Sequence, residues 1–160
     1  KRQGEKVVLS AYGDNAVARI CLVYGNPMGT NTGFLGWLKG GLSSSKVVTL
    51  FEDEFRTPVS IEDLIEAMVS LIKVDSNEYY GLSQKIFHFA GSERLSRLDF
   101  GKKLCEVFGY DKQLIVSAKR KDAKTLAPRP FDVSLNPHHT CQILGCSFND
   151  VADNLSLLAC

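Results

Sequence analysis

Short apolar runs alternate with amphipathic segments along this chain, and that alternation limits what it can fold into more than any single residue does. VARICLVYG, KVVTLF, KIFHFAG and QLIVSA are compact and rich in β-branched or aromatic residues, and Gly25 and Gly91 close two of them. Runs of this kind read as buried strands of a parallel sheet. The segments between them have helical spacing. From Ser60 to Val74, Ile61, Leu64, Ile65, Met68, Val69 and Ile72 share one face, with Ser60 as cap and Asp63 returning to it from the third position. Ser96 and Asp99 repeat that pattern ahead of LDFGKKLCEVF, which Gly109 stops. Asn136 and Pro137 read as the cap and first position of a short helix ended by Gly145, and VADNLSLL adds a last apolar stripe. Strands that alternate with helices imply βαβ units and a mainly parallel sheet.

The remaining stretches read as connections. NPMGTNTG is a loop, and FLGWLKGGL after it carries too many glycines for a helix to be expected. EDEFRTP is a polar link. The basic stretch KRKDAK leads into LAPRPFDVSL, a proline-bracketed loop or linker.

Composition excludes several classes of function. A chain with 44% hydrophobic and 23% charged residues is an ordinary globular domain or part of one. A net charge of +1 exerts no general pull on nucleic acid or an anionic membrane, so an anionic ligand needs a local cluster. No apolar stretch is long enough to span a bilayer. Cys21, Cys105, Cys141, Cys146 and Cys160 are odd in number and scattered among apolar residues, which suits free thiols and a cytoplasmic protein. His138, His139, Cys141 and Cys146 match no zinc spacing and read as surface histidines and core cysteines, so no metal is expected.

Two arginines stand out. Arg56 in FRTP and Arg129 in PRP each sit beside proline, where a planar guanidinium could hold a phosphate bidentately; a solvated loop arginine is the plain alternative. Lys119, Arg120, Lys121 and Lys124 could raise the local potential for a diphosphate, or simply be solvated surface. There is no GxGxxG, Walker loop or nucleophile elbow, so a dinucleotide site cannot be complete within these residues. The chain opens on Lys1 with no signal-peptide pattern, and further sequence upstream is expected.

The opening KRQGEKVVL is similar to the segment that, in extended short-chain dehydrogenases/reductases, starts at the lysine of Tyr-x-x-x-Lys and continues through Gly-Glu. ARICLVYG, in register after it, resembles that family's Arg-x-x-x-Val-Tyr-Gly strand, with Arg19 at the matching position. FEDEFRTPVSIEDLIEAM, IFHFAGSERLSRLDFGKKLCEVFG and RPFDVSLNPHHTCQILG continue the likeness, the last in the manner of the dTDP-4-dehydrorhamnose reductase family. The regulatory β subunit of methionine adenosyltransferase shares the pattern. Departures are Leu22, where reductases often carry tryptophan, and Asn136 with Pro137, where Asp or Asn usually leads to Ser-Lys.

The resemblance implies an α/β fold: the C-terminal part of an NAD(P)-binding Rossmann fold with a small α/β substrate-binding domain, residues 1–160 lying after the dinucleotide-binding half. It makes Lys1 the catalytic lysine, which lowers the pKa of a tyrosine four residues earlier and holds the nicotinamide ribose of NADP, or of NAD. It places Leu22 and Val23 against the nicotinamide; Arg56 and Arg129, from their proline-flanked loops, are the candidates for contacts to the substrate diphosphate. It implies NADPH-dependent reduction of a nucleotide-linked 4-keto sugar, or else a regulatory partnership with a methionine adenosyltransferase catalytic subunit, and it is compatible with a homodimer.

Overall fold

Helix α3 (Ile61–Lys73) follows strand β5 (Val59–Ser60) without a gap, because the Ser60 hydroxyl accepts the Asp63 amide at 3.0 Å and so caps the first turn. The computed structural model describes residues 1–12, 15–26, 33–73, 85–122 and 130–159. The loop expected at NPMGTNTG lies almost wholly outside them, and so does Val74 at the end of the expected helix.

Three strand pairs are parallel, as the alternation implies. β1 (Val17–Ile20) pairs with β6 (Ile86–Phe89), β2 (Val23–Tyr24) with β5, and β3 (Val48–Phe51) with β8 (Ile115–Ala118). One short antiparallel pair joins β4 (Phe55–Arg56), in the stretch expected to be only a polar link, to β7 (Leu95–Ser96).

The run VARICLVYG is not one buried strand. It changes partner midway: the Cys21 amide donates to Phe89 O at 3.1 Å, and Leu22 O accepts from the Val59 amide at 2.9 Å. β1 alternates between half-buried and exposed residues, with Ile20 44% exposed.

FLGWLKGGL, against expectation, is part of a helix, α2 (Gly33–Ser43), which buries Leu35, Leu38 and Leu42. Its glycines permit close packing. A Cβ on Gly41 would stand 2.9 Å from Val48 Cγ2, so glycine lets α2 approach β3, and burial of the leucines offsets the low propensity. α4 (Arg97–Phe108) starts at the Ser96 cap and stops at Gly109, whose φ of 69° is left-handed, as expected. α5 (His138–Leu144) ends at Gly145 with φ 59°; Pro137 occupies the cap position, and Asn136 Oδ1 accepts the His138 amide at 2.9 Å. α6 (Val151–Leu157) is capped by Asp150. An N-terminal helix, α1 (Arg2–Ala11), has no buried residue among the described ones.

Two apolar clusters hold these elements. Tyr24, Leu35, Leu38, Leu42, Leu50, Phe100, Leu104 and Leu155 form one, between α2, β3, α4 and α6. Val59, Leu64, Ala67, Phe87, Phe89 and Phe148 form the other, beneath α3 and α5. The apolar stripe expected on α3 is therefore split: Leu64 enters the core, while Ile65 and Ile72 are 54% and 80% exposed.

Candidate cofactor and substrate groove

A groove of about 690 Å³ runs along β1. It is lined by Lys1 and by Glu5 of α1, by Val17 through Leu22, and by Arg56, Val133 and Leu135. Three residues singled out from the sequence, Lys1, Leu22 and Arg56, thus share one cavity. Val23 does not. It follows Leu22 in the chain and lines a separate recess with Tyr24, Phe34 and Ile61. Arg129 lies outside the described residues.

Lys1 is exposed and precedes the first turn of α1, its carbonyl accepting the Glu5 amide at 3.1 Å. Glu5 is held by β1. Arg19 Nε donates to Glu5 Oε1 at 2.9 Å and Nη2 to Oε2 at 2.7 Å, a two-pronged pair. The hydrogen bond from Arg19 lowers the Glu5 pKa, and the same bond raises that of Arg19. The third guanidinium nitrogen, Nη1, stands 3.3 Å from His88 Nε2, and His88 Nδ1 stands 3.1 Å from Asn136 O. A carbonyl only accepts, so Nδ1 carries the proton and Nε2 is left to accept from Arg19.

Arg56 is not the free loop arginine that the proline neighbour suggested. It sits in β4, with Nη2 2.9 Å from Glu54 Oε1 and Nη1 donating to Phe55 O at 2.6 Å. Burial pulls its pKa below the usual arginine value. Glu54 also holds Arg97 at 3.1 Å and Arg120 at 3.7 Å, so one carboxylate gathers three cations. The basic run is accordingly not all surface: Arg120 is buried, with Nη1 donating to Pro130 O, whereas Lys119 reaches Glu52 at 3.5 Å from solvent. Lys124 lies outside the described residues.

Cys21, which also lines the groove, accepts the Thr57 amide and hydroxyl, both at 3.3 Å. Tyr24 is no proton donor for this groove: it is buried edge-on against Phe100, and burial drives its pKa far up. His138 and His139 are exposed, Cys141 and Cys146 pack on the second core, and among the described residues no group of three or more His, Cys, Asp or Glu could hold a metal ion. Among those residues, no helix is long and apolar enough to cross a membrane.

Glu5 and His88 escaped the reading of site residues from sequence. A signal for a partner exists, since a charged residue such as Arg19 inside an apolar strand needs one, but spacing does not say which acid or imidazole meets it.

Parallel crossover pairs with a groove along the leading strand define a Rossmann-type α/β chain. The RmlD substrate binding domain family matches residues 1–158, and the chain belongs to that family. A probable low-salt glycan biosynthesis reductase, Agl14 of Haloferax volcanii, is 31% identical over 160 residues, 99% of this chain and 51% of that protein. A dTDP-4-dehydrorhamnose reductase of Mycobacterium tuberculosis is 26% identical over 129 residues, 81% of this chain and 40% of its own. Among solved structures, the dTDP-4-dehydrorhamnose reductase of Bacillus anthracis, in complex with NADP, has the same fold, with a TM-score of 0.81 at 16% identity over 98% of this chain and 52% of that one. The chain spans about half the length of the relatives it matches.

Proposed function

We propose that residues 1–160 form the substrate-side half of an NADPH-dependent reductase of nucleotide-linked 4-keto sugars. One observation carries this reading: in a chain of the RmlD family, Lys1, Leu22 and Arg56 line a single groove. Their chemistry suits the proposed cofactor, with an ammonium, an apolar side chain and a guanidinium lining one groove. The reduced nicotinamide supplies a hydride when bound.

Everything else is work for side chains. The Lys1 ammonium donates to ribose hydroxyls and, by its charge, lowers the pKa of a tyrosine that protonates the developing alkoxide. Leu22 keeps water from the floor of the groove. Arg56, through the guanidinium protons not committed to Glu54 and Phe55, and Arg129 hold the substrate diphosphate. Cys21, Cys105, Cys141 and Cys146 are free thiols, which supports a place in a reducing compartment such as the cytoplasm.

The test is NADPH oxidation by the full-length protein with a dTDP-linked 4-keto sugar, beside co-purification with a methionine adenosyltransferase catalytic subunit. Turnover with the sugar is the expected outcome. Complex formation without turnover would overturn the reductase reading in favour of the regulatory one.

A further inference from the structure

Helix α1 begins directly after Lys1, and the Lys1 carbonyl accepts the Glu5 amide at 3.1 Å. A directional interaction acts on this turn.

Arg19 on β1 grips both oxygens of Glu5, and a two-pronged guanidinium–carboxylate pair sets angle as well as distance. Glu5 lies one helical turn from Lys1, with its amide bonded to the Lys1 carbonyl, so the grip acts on the turn that bears the lysine. Arg19 is itself aimed by the His88 ring, which takes its orientation from Asn136 O. A hydrogen-bonded series thus runs from the segment ahead of α5, through β6 and β1, to the first turn of α1.

We propose that Arg19 is a positioning residue, which sets the place of Lys1 in the groove by clamping Glu5, with His88 aiming the guanidinium. The role assigned to Lys1 rests on the reductase reading; the clamp is tested without turnover.

The experiment uses the full-length protein with Arg19→Gln, Glu5→Gln and Arg19→Lys. Three quantities are measured: hydrogen exchange of the α1 and α4 amides, the acylation rate of the Lys1 amine, and the Kd for NADPH. The loss of one part-buried pair should speed α1 exchange about two- to five-fold in the Gln variants while leaving α4 unchanged. Lys1 acylation and NADPH affinity should change in the same variants, and Arg19→Lys, which keeps the charge but not the fork, should recover part of each. Unchanged α1 exchange overturns the proposal, as does a rise shared equally by α4, which would mark general destabilisation. A wild-type protein that neither binds nor oxidises NADPH would count against the reductase reading, and the clamp would then be judged on exchange and acylation alone.

Discussion

The buried carboxylate of Asp63 accepts the side-chain amide of Asn154 at 2.8 Å, tying the first turn of α3 to α6. The Asn149 backbone and side-chain amides donate to the same carboxylate, each at 3.0 Å. Asp63→Ala strands these donors. With several charge-assisted bonds lost at a buried site, it should destabilise the protein by about 2–3 kcal/mol and lower Tm by about 5–10 °C. Thermal unfolding followed by circular dichroism measures this, and a shift within error of zero would contradict it.

Asp132 fixes the segment bearing Val133 and Leu135, two residues of the groove wall. Hydrogen bonds from Ser134, then from Arg94, hold its pKa down at about 2 against a usual 3.8. The folded state keeps the carboxylate ionised after the unfolded chain would have taken up a proton. Its contribution to stability is therefore complete above about pH 4 and fades as pH falls towards 2. Carbon-detected NMR titration should find the Asp132 midpoint near 2 in the wild type, and an ordinary carboxylate midpoint would refute the assignment. Asp132→Asn should flatten the acid limb of stability between those two values.

How much was legible beforehand depended on whether the cause was local. Ser60, Ser96 and Gly109 mark helix ends by their own chemistry, and each was found where expected. Asp63 shows the limit. It was expected to return to Ser60, but Asn149 and Asn154, far along the chain, compete for its carboxylate and win. α2 was missed because its glycines count against a helix by propensity, while the reason they are tolerated, the approach to Val48, is tertiary. VARICLVYG reads as one strand because apolar periodicity does not record a change of partner at Cys21 and Leu22. In the groove, Lys1 follows from motif register, Leu22 from its place at a strand end and Arg56 from the proline beside it. Glu5 and His88 came only from three-dimensional contact with Arg19.

Gly91 crosses the chain at Pro58. A Cβ there would stand 1.9 Å from the Pro58 carbonyl oxygen, while the Gly91 amide donates to Thr57 O at 3.2 Å. Backbone, not a flexible side-chain tip, blocks the space. Gly91→Ala should destabilise by about 2–3 kcal/mol or more, read as a fall in the denaturation midpoint with unchanged m. A variant of wild-type stability would show that the two strands do not approach so closely.

Arg56 and Arg129 are separable in the full-length protein under the proposed function. Arg129→Ala should raise KM for the nucleotide sugar about ten-fold with little change in kcat, as loss of a uniform binding contact does. Arg56→Ala should also raise KM, and it additionally releases Glu54 from one of its three cations, so a loss of stability should accompany it. Steady-state kinetics beside thermal melts decide both; unchanged KM in either variant removes that residue from the substrate site.

The role of Lys1 in the groove is tested most directly by Lys1→Met in the full-length protein, assayed for NADPH oxidation with a dTDP-linked 4-keto sugar. Removing the cation should lower kcat/KM by about 10²–10⁴-fold and move the pH profile of kcat to higher pH, while Tm stays near the wild-type value. A Lys1→Met enzyme that turns over at the wild-type rate with an unshifted profile would contradict the assignment.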